Sequence, residues 1–416
     1  MKARNNLMWQ TLHPNIKARI KIQFLSRFGS SLIFPFMAIY LSHAYNAQTA
    51  GILMMINIVI AFLAGVYGGH LTDMYGRRPL LITGETIKLI GSAGIFLANI
   101  PVYHLPWLTF IMMSIGNIAS GLLNPASEAM LIDVSTKTTR AFMYAINYWA
   151  SNLSLMIGSM LGGWLFESHF IILASTLMII NTLSLLLTIF SITETYHSNQ
   201  LSSPKIGMLA VFKHYQPVFK DLPFLIFTLG GILLLAVEFQ RTNYIAIHLA
   251  EKFVHTTIFA VPLNGVKMIS VLTTINTLII IFFTALFSNW IARYNTRYIF
   301  TIGTLLFTIG YALQATTITF LPLLISSLIL SFGELMYVPT RQVQLANLMP
   351  KSQRGAYIAF NGSIFQLGKI LASLVLVGSP LLTNSLIGIL ILFLGGGAII
   401  LTLLSLKMFD THHVQP

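Results

Sequence analysis

The sequence predicts an all-α polytopic membrane protein, with twelve transmembrane helices in two pseudo-symmetric six-helix halves. Three observations predict it. The 416 residues are 56% hydrophobic and 8% charged. A soluble domain of this size has no core large enough to hide that much apolar surface, and soluble chains carry about 25% charge. Apolar stretches of about 20 residues, long enough to cross a bilayer as helices, recur along the whole chain. Basic residues gather in alternate loops between those stretches.

The spans are predicted at 20–43, 48–71, 80–100, 105–131, 141–166, 170–193, 222–250, 259–289, 297–315, 319–345, 354–378 and 384–407. Basic residues cluster at Lys2 to Lys21, at Arg77 and Arg78, and at Lys137 and Arg140. They cluster again from Lys205 to Lys220, at Arg293 and Arg297, at Lys351 and Arg354, and at Lys407. The intervening loops carry Lys252 alone. The positive-inside rule then places both termini in the cytoplasm of a plasma membrane, expected to be bacterial. The same rule accounts for the formal net charge of +13, so no nucleic-acid partner is expected. The chain has no Cys, which excludes disulfides and thiolate chemistry. No short apolar run with a small-residue cleavage site opens the chain, so the first span is expected to stay in the membrane. The polar stretch 194–221, containing HSNQLSSPK, divides the chain into a half at 1–193 and a half at 222–416.

The halves resemble each other. HLTDMYGRRPLLITG (70–84) aligns with NWIARYNTRYIFTIG (289–303), placing Tyr75 on Tyr294, Arg78 on Arg297 and Gly84 on Gly303. Pro125, Arg140 and Asn147 fall on Pro339, Arg354 and Asn361 with one offset, and AIYLS (38–42) matches AIHLA (246–250). Duplicated halves are a transporter architecture, with the substrate handled near mid-membrane.

The stretch GHLTDMYGRRPLL resembles the signature G-x-L-A-D-x-x-G-R-[RK] of the major facilitator superfamily, matching at Gly69, Leu71, Asp73, Gly76, Arg77 and Arg78. GSMLGG (158–163) resembles the helix-five motif G-P-x-x-G-G of antiporters, with Ser159 in place of Pro. The run from Ile132 to Phe166 and GELMYVPTRQ are similar to the drug:proton antiporter branch. The resemblance implies the major facilitator fold and proton-driven export of drugs. It also departs from the pattern: Asn117 stands where many relatives have an Arg, and Asn147 where a multidrug transporter of that branch has a carboxylate.

Within the signature, Gly69 would let a neighbouring helix approach closely. Asp73 would meet Arg78 and the positive N-terminus of the eleventh helix, forming a latch. A plain topology-setting loop explains the Arg pair as well. Gly158 and Gly162 offer a small-residue face for tight, sliding packing.

Ionisable residues inside spans are costly and usually functional. The predicted intramembrane cations are Arg27, Lys88, Arg241, Lys267, Arg341 and Lys369. The acids are Glu85, Glu128, Glu238 and Glu334, with Asp133 near a helix end. Glu85 with Lys88, and Glu238 with Arg241, are three apart and could pair along their own helices. Glu334, in SFGELMY, has no cation three or four residues away. Taken out of water, it could load and release a proton near neutral pH; a pairing across helices with Lys267 or Arg27 is the structural alternative. The expected proton-coupling residues are Glu334, Glu238 and Asp133. The expected substrate contacts are Arg27, Asn117, Asn147, Glu238, Arg241 and Glu334.

No G-x-x-x-x-G-K-[ST] loop is present, so ATP is not the direct energy source. A proton crossing 100 mV supplies about 2.3 kcal/mol, enough for tens-fold accumulation. A membrane enzyme finds no support, because HExxH and GxSxG are absent. The expected function is proton-coupled export of lipophilic or amphipathic drugs by alternating access. Transport of an anionic or zwitterionic metabolite or peptide is the alternative. No cofactor or metal is expected. The partners are a small-molecule substrate, protons and the lipid bilayer, and the protein is expected to be a monomer.

Overall fold

The computed structural model describes residues 9–195, 216, 218–258, 260–291, 293–350, 354–362 and 364–413. The side chains of Asp73, Lys137 and Arg354, with a few neighbours, lie outside the described residues. So does most of the stretch 194–221.

The described residues form twelve helical segments. These are α1 (Pro14–Ala44), α2 (Ala47–Tyr75), α3 (Arg77–Ala98), α4 (Pro106–Asp133), α5 (Lys137–Leu165) and α6 (Phe170–Ser191). They continue as α7 (Leu222–Lys252), α8 (Gly265–Ile291), α9 (Thr296–Thr316) and α10 (Phe320–Leu348). Then come α11, in two stretches (Arg354–Gly362 and Ile364–Gly378), and α12 (Asn384–His413). Eleven of the segments are long and apolar enough to cross a membrane. The other, α5, is as long but carries Asn147, Ser151, Asn152, Ser154 and Ser159. Large apolar side chains project outward, such as Phe190 at 81% exposure and Phe393 at 79%. Such exposure suits lipid and would be costly in water.

Two compact units divide the chain, one holding α1, α2 from Leu53 onward and α3–α6, the other the start of α2 and α7–α12. Within the first, α1 packs on α5 and α6, and α3 packs on α4 and α6. Within the second, α7 packs on α11 and α12, and α9 packs on α10 and α12. Adding six to each helix number of the first set gives the second. The duplication legible in the sequence is therefore a duplication of packing.

Two features depart from the predicted spans. The eighth helix begins at Gly265 rather than 259, because a hairpin precedes it. Its strands β1 (Thr256–Ile258) and β2 (Val261–Leu263) pair antiparallel, Thr256 facing Leu263. The seventh helix is interrupted by a 3₁₀ turn at Phe239–Thr242. A matching turn breaks α1 at Phe34–Phe36, where Pro35 lacks a donor N–H. Discontinuous helices leave backbone groups free at membrane depth, where transporters build their sites.

Candidate functional site

The second unit gathers a polar cluster from helices 7 to 11. Regular helix ends at Glu238, and the 3₁₀ turn that follows carries Arg241. On α10, Ser327, Ser331 and Glu334 follow one another by four and three residues, which puts them on one face. That face meets α8. Ser327 Oγ donates to the Leu272 carbonyl at 3.2 Å, and Ser331 Oγ to the Ser327 carbonyl at 2.7 Å. Asn276 Nδ2 donates to Glu334 Oε2 at 2.9 Å and to Ser331 Oγ at 3.0 Å. Asn276 Oδ1 accepts from Arg241 Nη1 at 3.1 Å. An Arg can only donate, so the amide oxygen must face it and the amide orientation is fixed.

Aromatic residues close the cluster. The Arg241 guanidinium lies 5.2 Å from the Tyr311 ring centre, and Tyr337 Oη donates to Glu238 Oε2 over a long 3.4 Å. Lys369 Nζ sits 5.3 Å above the Phe239 ring. No ion pair joins Glu238 to Arg241 despite their spacing, and Glu334 has none among the described residues. Arg241 keeps Nε and Nη2 buried without acceptors. The cluster thus holds two unpaired carboxylates and a guanidinium with donors to spare. It can take a proton and can meet a solute of either charge.

The signature loop makes the following contacts within the first unit. Gly76 has φ +90°, a left-handed value that favours Gly, and it caps α3. Glu194 accepts from the backbone N–H of Arg77 at 3.2 Å and of Arg78 at 2.9 Å. It places a negative charge at a helix N-terminus. Arg77 Nε pairs with Asp133 Oδ2 at 3.0 Å, and Thr195 Oγ1 donates to the same oxygen at 3.3 Å. Arg78 Nη2 donates to the Ile189 carbonyl at 3.0 Å. Asp133, expected among the proton sites, thus lies half-exposed at this loop, bonded to Arg77 and Thr195. Asp73, the expected latch, has its side chain outside the described residues. The close approach expected at Gly69 occurs one residue earlier. A Cβ on Gly69 would meet nothing, whereas one on Gly68 would lie 2.6 Å from the Gly121 carbonyl of α4. Gly158 and Gly162 pack against α1 at Phe28 and Ser31 and at Leu32 and Phe36, leaving no room for side chains.

The pattern of the Major Facilitator Superfamily matches residues 22–265 and 245–416. This chain belongs to the major facilitator superfamily. The transporter is 28% identical over 371 residues to a Na(+), Li(+), K(+)/H(+) antiporter of Planococcus maritimus, covering 86% of this chain and 88% of that one. It is 23% identical over 212 residues to the multidrug resistance protein MdtH of Salmonella typhi, covering 50% of each. Its fold is shared with a POT family transporter solved with a thioalcohol-conjugated peptide, at TM-score 0.75 and 18% identity over 97% and 99% of the two chains. A peptide transporter POT solved with sulfate gives TM-score 0.73 at 15% identity, over 95% and 94%.

The other expected contacts of this facilitator are dispersed over the first unit. Asn117 Nδ2 donates to Asn57 Oδ1 at 2.7 Å, tying α4 to α2. Asn147 is buried with Oδ1 unpartnered. Arg27 is exposed on α1. Lys88 pairs with Glu85 at 3.0 Å and donates to Ser26 Oγ at 2.7 Å, which satisfies both charges locally. Lys267 sits in the first turn of α8, bonded to the Pro262 carbonyl at 2.9 Å, so it is neither mid-span nor the partner of Glu334.

Arg19, expected in a cytoplasmic tail, is instead 5% exposed within α1 and bonded to Ser127 Oγ at 2.6 and 3.0 Å. By the sequence correspondence of the halves, Arg19 falls on Phe227 and Ser127 on Arg341. Arg341 lies 4.7 Å from the Phe227 ring centre. Each half keeps one guanidinium at the same helix crossing, contributed from opposite sides. Sequence reading missed Asn276 and Glu194. Both have partners that lie far along the chain, so no local spacing announces them.

Proposed function

We propose that this facilitator is a proton-coupled antiporter that exports small lipophilic or amphipathic compounds by alternating access, with Glu334 and Glu238 as its proton sites. One observation carries the reading: Glu334, inside α10, is bonded to the neutral amide of Asn276 and, among the described residues, to no cation. A carboxylate without a countercharge at membrane depth can exchange a proton for a solute. Glu238, bonded among the described residues only to a tyrosine hydroxyl, is the second such group. Arg241, Arg27, Asn117 and Asn147 supply polar contacts to the solute, and Asp133 braces the Arg77 loop. The protein works as a monomer in a bacterial plasma membrane with both termini cytoplasmic, the side on which its loop cations lie.

A second reading, exchange of alkali cations for protons, is favoured by the extent of the match to the Planococcus maritimus antiporter. A third, an anionic or zwitterionic solute such as a peptide, is favoured by the buried unpartnered donors of Arg241 and Arg341. Proteoliposomes loaded with a pH-sensitive dye separate the three. Each vesicle sample receives ethidium, or Na⁺, Li⁺ or K⁺, or a dipeptide. Proton movement on ethidium addition is expected. Proton movement with alkali cations alone, or with the dipeptide alone, would overturn the proposal in favour of the corresponding alternative.

A further inference from the structure

We infer that Asn276 is a positioning residue that keeps Glu334 free to exchange protons by standing between it and Arg241; the inference rests on Glu334 being a proton site. Asn276 donates to Glu334 with one end of its amide and accepts from Arg241 with the other. A second Nδ2 hydrogen goes to Ser331 Oγ, whose own proton is committed to the Ser327 carbonyl. Ser331 therefore has to accept, and the amide cannot turn over without losing bonds at both ends. Thr273 and Thr277, its neighbours on α8, donate to carbonyls of their own helix and leave the task to Asn276.

The chemistry at this position has a consequence. An amide cannot titrate, so it connects an acid to a cation without itself taking either charge. Arg241 has two further buried donors with no acceptor. With the amide gone, Arg241 loses its bonded acceptor, and the Glu334 carboxylate held by the same amide is a group able to replace it. A guanidinium bonded directly to a buried carboxylate holds that carboxylate in its charged form. The charged and titratable groups around Glu334 are Glu238 and Arg241 from α7, Tyr311 from α9 and Tyr337 from α10 itself, with Arg341 acting on Tyr337. Lys369 of α11 acts on Glu238. Of these, Arg241 alone is linked to Glu334 through a hydrogen-bonded bridge.

The test needs no knowledge of the cargo. Purified transporter is titrated with acid while the infrared band of the protonated carboxyl C=O is followed. Glu334→Gln identifies which part of the band belongs to Glu334. Asn276→Leu removes the bridge and should move the Glu334 midpoint to lower pH, by about one unit or more. Asn276→Asp puts a like charge beside Glu334 and should move it to higher pH by a similar amount. Shifts of opposite sign are not what a general loosening of the helix packing would give. If Glu334→Gln leaves the titrating band intact, Glu334 is not a proton site and the reading beneath fails. If Glu334→Gln removes the band but both Asn276 variants keep the wild-type midpoint, Asn276 does not position the acid and the inference alone fails.

Discussion

At the scale of single residues, the contrast between two glutamates is instructive. Glu85 has Lys88 one turn away and is paired with it at 3.0 Å, as the spacing predicts. Glu334 has no cation at that spacing, and its partner, Asn276, is 58 residues distant. Local spacing therefore foretold which acid would be neutralised, but it could not name the group that meets the other. The same spacing left Glu238 and Arg241 open between pairing and a solute contact, and the 3₁₀ turn between them directs the guanidinium toward α8. Tyr337→Phe removes only a long hydroxyl contact to Glu238 and should cost under about 1 kcal/mol of stability, measured by thermal unfolding in detergent. Asn147→Asp should have a larger functional effect. Asn147 is buried with an unsatisfied oxygen, and a carboxylate there would offer a countercharge to cations. The variant should transport divalent cationic compounds that the wild type exports poorly, as read by efflux of a dicationic dye from proteoliposomes.

At the scale of elements, the apolar runs located the helical segments because length and composition are local properties. The hairpin before α8 escaped because TTIFAVPL is apolar and β-branched, and such a run reads as helix or strand alike. Its two strands become visible only in their pairing. Small residues were read correctly as contact surfaces at Gly158 and Gly162, but the contact expected at Gly69 belongs to Gly68. Sequence spacing does not reveal which of two adjacent glycines faces the neighbouring helix. Gly158→Leu would drive a side chain into Phe28 and Ser31 of α1. It should destabilise the fold by about 1–3 kcal/mol, visible as a lower unfolding temperature. Glu194→Ala should loosen the start of α3, since it removes the acceptor for two backbone N–H groups. Hydrogen exchange at Arg77 and Arg78 should accelerate several-fold, while the centre of α3 stays protected.

At the scale of the whole molecule, a chain of duplicated halves carries the two carboxylates of its buried polar cluster in the second half, on helices 7 and 10. Duplication was legible from a handful of aligned residues because it reflects packing that both halves share. The division of chemistry between them was not, because Asn147 and Glu334 acquire their meaning from what surrounds them. A solute with one positive charge or none should be exported, whereas a dication should be driven weakly even by a valinomycin-imposed potential. The cations near Glu334 raise the local potential, and like charges repel strongly where water is scarce. The central claim is that protons enter through Glu334 to drive export. Its most direct test is ethidium accumulation in proteoliposomes under an imposed pH gradient, comparing wild type with Glu334→Gln at equal protein. The account predicts that the variant still binds ethidium and still equilibrates it passively, but that the pH gradient no longer accumulates it. Undiminished gradient-driven accumulation by the variant would contradict the account.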